Sequence, residues 1–182
     1  MLSAEGGRLS LQLPLGFGNI LGGAVRAIES ADPSGVAEIE TGINELTAIG
    51  GTAGAPVAFA LFAEAHMATG APDAAREVAR AGLAIADSLD QHFVDAELQR
   101  LEALAARETG MSIADTVALL RAAVDAAKAQ GQTSLALRAA CDLAALAPEA
   151  TESVSALLAQ IEGGHETRDH TRARTLLAAP AS

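Results

Sequence analysis

Gly42, Gly82 and Ala123 occupy equivalent places in three apolar segments, and each is followed by an aliphatic residue, Ile43, Leu83 or Val124. They recur at roughly 40 residues, a period typical of repeat architectures built from paired helices. One such hairpin cannot bury its apolar face alone, so the period predicts stacking. The expected fold is all-α: a right-handed α-solenoid of antiparallel helical hairpins, with about nine helices joined by short loops.

The 182 residues suffice for a single domain of this kind, with no second domain required. Alanine makes up about a quarter of the chain, Trp and Tyr are absent and only four Phe are present. Alanine is the strongest helix former. A chain so poor in aromatics must bring its helices together on Ala and Gly faces, with Leu, Ile and Val as the knobs.

Glycine and proline mark the element boundaries. An irregular segment 1–13 precedes a first helix expected over Leu15–Glu29. Asp32 as N-cap and Pro33 at the first helical position open a second, reaching Ile49 before Gly50 and Gly51. Ala55-Pro56 opens a third that closes at Thr69-Gly70, and Pro72 opens a fourth to Leu89. A fifth is expected over His92–Glu108. Ser112, with Asp115 three residues on, caps a sixth reaching Gln130. A seventh spans Thr133–Leu146 and stops at Pro148, an eighth spans Thr151–Ile161, and a terminal capping helix runs from Thr167 to Ala178 after Gly163-Gly164.

The stretch from Ala63 to Ala75, Ala-Glu-Ala-His-Met-Ala-Thr-Gly-Ala-Pro-Asp-Ala-Ala, resembles a tetratricopeptide (TPR) hairpin. Laid on that motif, Phe59 and Phe62 fall at the large positions of the first helix, Ala63 at its small position and His66 where Tyr is usual. Ala75, Ala79 and Gly82 take the interlocking positions of the second helix. The order of segments from Pro14 to Leu177 is similar to the C-terminal TPR-like arrays of large bacterial signalling ATPases and adenylate-cyclase-type regulators. That resemblance implies a regulatory or docking array without catalysis of its own.

The formal net charge of -11 and pI near 4.7 oppose binding to phosphate backbones and anionic head groups, so neither nucleic acid nor a membrane surface is an expected partner. No uninterrupted apolar run of about 18 residues is present to span a bilayer. The lone Cys141 has no partner for an internal disulfide and fits a reducing cytoplasm.

Catalytic, cofactor and metal sites are not expected. His165 and His170 resemble a zincin pair but stand five apart, which on a helix separates them by about 140°. Gly16-Phe17-Gly18-Asn19-Ile20-Leu21-Gly22 is one residue too long for a dinucleotide fingerprint and follows no strand. It reads as a helix with small packing faces. Cys141 has Asp142 beside it and no nearby His or Lys, and reads as a buried thiol. His66 reads as a core histidine, Asp87, Asp90, Asp95 and Glu97 as a solvated acidic loop, and Arg168, Arg172 and Arg174 as ion-pairing residues.

A partner is then expected on the concave face, which the first helix of each hairpin lines. In the best-matched hairpin those positions are Val57, Ala60, Glu64, Met67 and Ala68. The expected function is a non-catalytic interaction module for a protein or peptide. The alternative is a self-associating unit, a homodimer or larger homo-oligomer within a signalling assembly.

Overall fold

The computed structural model describes the backbone of residues 4–178 and the side chains of residues 13–178. Among the described residues the chain is all-helical. Its helices are α1 (Ala4–Ser30), α2 (Ser34–Ala48), α3 (Ala55–Ala68), α4 (Pro72–Leu89), α5 (Asp95–Glu108), α6 (Ile113–Ala129), α7 (Thr133–Leu146), α8 (Thr151–Leu158) and α9 (Arg168–Ala178), with a 3₁₀ turn at Pro148–Ala150. The contacts divide into two compact units, residues 1–94 and 95–182.

Local chemistry places most of these ends where the sequence puts them. Pro33 already has helical φ and ψ, and the Ser34 amide donates to Asp32 Oδ1 at 2.9 Å. Asp32 therefore caps the first turn of α2. At α6 the Asp115 amide donates to Ser112 Oγ at 3.1 Å, the expected capping arrangement.

Three expectations need correction. The segment 1–13 is not irregular over residues 4–13, because α1 begins at Ala4 and passes through Pro14; residues 1–3 lie outside the described residues. Gly6, Gly7 and Pro14 each weaken a helix. Once the turns after Pro14 are held by tertiary packing, however, extending the helix fixes only one residue at a time. The fifth helix starts at Asp95 rather than His92, and the eighth ends at Leu158 rather than Ile161.

The first unit is organised by an antiparallel seam between α1 and α2. A Cβ on Gly16 would meet the Leu46 side chain at 2.8 Å, and one on Gly42 would meet Ile20 Cγ1 at 2.8 Å and Gly16 O at 2.5 Å. Likewise a Cβ on Gly23 would meet Ile39 Cγ1 at 2.9 Å, and one on Gly35 would meet the Ala27 amide nitrogen at 2.7 Å. The layers are thus Gly16 with Leu46, Ile20 with Gly42, Gly23 with Ile39, and Ala27 with Gly35. Every layer sets a glycine opposite a side chain, so the backbones approach closely while the core remains filled. Ala58 and Ala65 of α3 join Ile20, Ile39 and Leu46 in this core.

The roughly 40-residue period reappears in burial. Gly35, Ile39, Gly42 and Leu46 are buried in α2, Ala75, Ala79, Gly82 and Ala86 in α4, and Thr116, Leu120, Ala123 and Ala127 in α6. Each set steps by four, three and four residues, the repeat that keeps one stripe of a helix against its neighbour. The second unit buries its own core around Leu120, Leu137, Cys141, Val154 and Leu157.

Candidate functional site

In the first unit, α2 ends at Ala48 and the chain turns through Gly50 and Gly54, both at positive φ, before entering α3. That turn leaves a cavity of about 250 Å³ between the last turns of α2 and α4 and the start of α3. Ile43 and Leu46 come from α2, Ala58 and Phe59 from α3, and Ile85 and Leu89 from α4; Thr47, Thr52 and Ser88 complete the polar part of the lining. No titratable side chain lines it.

Three of its polar groups are already engaged. The Thr47 hydroxyl donates to Ile43 O at 2.8 Å, the Ser88 hydroxyl to Ile85 O at 2.9 Å, and the Gly54 amide to Gln91 Oε1 at 3.3 Å. The surface offered to a visitor is therefore mostly apolar. A volume of 250 Å³ exceeds the roughly 150 Å³ that admits a benzene ring and falls short of the roughly 300–1,000 Å³ typical of drug-sized ligands. It suits one or two bulky apolar side chains.

The expected partner strip on α3 is only partly exposed. Val57, Glu64, Met67 and Ala68 are intermediate in exposure, but Ala60, at 7%, is buried. That position is corrected: Ala60 shares a stripe with buried Pro56 and Ala63, because residues four and three apart lie on one side of a helix. Helical spacing also puts Ala55 and Phe59, which line the cavity, on the side of α3 opposite Val57 and Glu64. The cavity therefore opens on a different face of α3 from the expected strip.

His66 is partly buried, with its ring centroid 4.6 Å from that of Phe62. Burial holds its imidazole below the ordinary histidine range, and Glu40 opposes that shift only in part. The ring is therefore neutral near pH 7 and acts as a packing group beside Phe62.

Six charged residues of the second unit form two rungs across α5, α7 and α9. In one, Glu97 accepts from Arg138 Nη1 at 3.0 Å, and Asp169 Oδ2 accepts from Arg138 Nη2 at 2.8 Å. In the other, Asp142 Oδ2 accepts from Arg100 Nη1 at 2.6 Å, and Asp142 Oδ1 lies 2.6 Å from Arg172 Nη2. Arg100 ties the rungs together by gripping Glu97 with Nε at 2.9 Å and Nη2 at 2.8 Å. Each helix supplies one acid and one base, so three carboxylates balance three guanidiniums.

Glu97, Arg100 and Asp142 are buried. Burial alone would raise the Glu97 carboxyl, but Arg100 and Arg138 outweigh it and hold the group below the ordinary carboxylate range. For Arg100, burial would lower the guanidinium, and Glu97 with Asp142 reverse the sign. Bidentate pairing of this kind stabilises both charged forms.

For Glu97 this ladder corrects the acidic-loop expectation, whereas Asp87 and Asp90 are solvent-exposed as expected. Glu97 belongs to it, while Asp87 and Asp90 flank His92, with Asp90 Oδ1 3.5 Å from Nε2. Arg172 forms an ion pair, as expected of the basic strip near the end. Arg138 and Asp142 were missed by sequence reasoning. They are the only charges in α7 and stand four apart on one side of an otherwise apolar helix, which was the available signal.

His165 and His170 also differ from expectation. Gly163 and Gly164 adopt positive φ and α9 starts only at Arg168, so His165 precedes the helix and approaches His170, Nδ1 to Nε2, at 3.1 Å. Among the described residues no group of three or more His, Cys, Asp or Glu could hold a metal ion. The nearby cavity of about 260 Å³ is lined by Asp169, His170 and Thr167 among others. Asp169 is committed to Arg138, His170 to His165, and Thr167 donates to Gly164 O at 2.8 Å. Cys141 is buried and its thiol is pushed up to about 11 by burial, which leaves it un-ionised and poorly nucleophilic at neutral pH.

No helix among the described residues is long and apolar enough to cross a membrane. No family model, curated protein or solved structure matches the chain.

Proposed function

We propose that this protein is a non-catalytic interaction module that binds a protein or peptide by admitting one of its bulky apolar side chains to the cavity between α2, α3 and α4. The observation that carries this reading is a contrast in chemistry: the open apolar cavity has no titratable lining, whereas the buried acids and bases of the second unit are paired with one another. A site built to recognise shape and apolar surface suits docking better than bond making. The TPR-like hairpin supports the same reading. We take the chain as a right-handed stack of such hairpins serving as a regulatory or docking array in signalling, with Val57, Glu64, Met67 and Ala68 as a second contact strip.

Selection of a displayed random-peptide library on the purified protein tests this. Binders should share one large aliphatic or aromatic residue. Ser88→Phe, placing a ring at the cavity from an exposed position, should weaken their binding at least tenfold with an unchanged helical spectrum. Undiminished binding to Ser88→Phe would count against the cavity.

A second reading, self-association, is favoured by a separate observation: Leu13, Leu15, Phe17, Leu21 and Val25 of α1 are all exposed.

A further inference from the structure

We propose that the outward face of α1 is the contact surface of a homodimer, in which α1 packs antiparallel against α1 of a second copy about a twofold axis. The proposal rests on the self-association reading and is independent of the α2–α3–α4 cavity. Phe17, Leu21 and Val25 recur every four residues and form one ridge on the side of α1 away from the buried stripe of Gly16, Ile20, Gly23 and Ala27. Leu21 is 57% and Val25 63% exposed. Beside the ridge lie two notches. A Cβ on Gly18 would meet nothing within 4 Å, and one on Gly22 would meet only the flexible end of Arg26 at 3.8 Å.

The ridge and the notches complement each other when the helix is turned end for end. With two copies antiparallel, Leu21 of one faces Gly18 of the other and Phe17 faces Gly22, each contact occurring twice, as a twofold interface requires. This repeats the rule of the α1–α2 seam, where Ile20 faces Gly42 and Ile39 faces Gly23. The inner face satisfies that rule within one chain. The outer face has the same pattern and needs a second copy.

Charge and area point the same way. No charged residue occurs from Leu9 to Val25, so a chain of net charge -11 can bring two copies together here without opposing like charges across the helix. The exposed parts of Leu15, Phe17, Leu21 and Val25 amount to roughly 400 Å² per copy, the scale of the largest apolar patch on an ordinary monomer, about 300–600 Å². Two such faces with their rims approach the roughly 1,200 Å² at the low end of specific interfaces. So small a contact suits a weak, reversible dimer.

Sedimentation velocity on the full chain from about 1 to about 200 μM tests the proposal, because a reversible dimer dissociates on dilution. The wild type should move from the 18.3 kDa monomer towards twice that mass. Leu21→Glu should remain monomeric throughout with an unchanged thermal midpoint at the lowest concentration. Gly18→Leu fills a notch that is open in the free chain, so it should keep or raise monomer stability while weakening association at least tenfold. Ser88→Phe, at the cavity, should dimerise like the wild type. A wild type that stays monomeric overturns the proposal, including one that instead binds lipid vesicles. Dimers unaffected by both α1 substitutions overturn the assignment to this face.

Discussion

Replacing Gly42 with Ala tests whether the α1–α2 seam is set by backbone contact. An added methyl would lie 2.5 Å from Gly16 O, 2.8 Å from Ile20 Cγ1 and 3.0 Å from the Ile20 amide nitrogen. Two of these three atoms are backbone, so no rotamer change relieves them and α1 itself must withdraw. Overpacking of this kind costs about 3 kcal/mol at the upper end of its usual range. Alanine regains about 1 kcal/mol over glycine in a helix interior, leaving a net loss of about 2 kcal/mol. Ala37 in the same helix is exposed, and Ala37→Gly measures the propensity gain free of any contact. It should destabilise by about 1 kcal/mol. Urea unfolding followed by circular dichroism suits a protein without Trp or Tyr. If Gly42→Ala proves as stable as the wild type or more so, while Ala37→Gly shows the ordinary penalty, the close-contact seam is refuted.

Three further outcomes concern the second unit. Arg100→Ala removes the tie between the rungs and leaves Glu97 and Asp142 with one guanidinium each; unfolding experiments should show a loss of about 3 kcal/mol, the low end for breaking a buried pair, because Arg138 and Arg172 remain. The depressed Glu97 carboxyl contributes stability that is present above its unfolded value near 4.5 and is lost as pH falls through its lower folded value. Between pH 5 and 2 the wild type should therefore lose stability more steeply than Glu97→Gln, as read from thermal midpoints across that range. Finally, Cys141 should react with a thiol reagent at neutral pH only at the rate of protein opening, and Cys141→Ala should leave peptide binding unchanged; rapid labelling of the native protein contradicts a buried thiol.

Much of the fold was legible because its signals are local. Asp32, Ser112, Pro72 and the paired glycines mark helix ends through capping and backbone conformation, and Gly42, Gly82 and Ala123 mark the buried stripe. The start of α1 was not legible, since Gly6, Gly7 and Pro14 oppose helix locally and tertiary packing decides the outcome. The seam register was present in the four-three-four spacing of Gly16, Ile20, Gly23 and Ala27 against Gly35, Ile39, Gly42 and Leu46, but pairing them requires knowing that each glycine meets a side chain. Glu97 reads as a loop acid in the sequence because its partner Arg100 lies one turn on, and Arg138 and, through Arg100, Asp142 lie on another helix. The approach of His165 to His170 has no sequence signature, because it is made by the turn through Gly163 and Gly164 ahead of α9. The cavity had no signature at all, since it is made by the path of the chain from Gly50 to Gly54 rather than by any residue pattern.

Methyl-resolved NMR of Ile, Leu, Val and Met side chains, recorded while a library-selected apolar peptide is titrated in, tests the docking reading most directly. Saturable shifts should concentrate on Ile43, Leu46, Ile85 and Leu89, and should vanish with Ser88→Phe. Shifts confined to Leu137, Val154 and Leu157 of the second unit, with the cavity methyls unmoved, would contradict it.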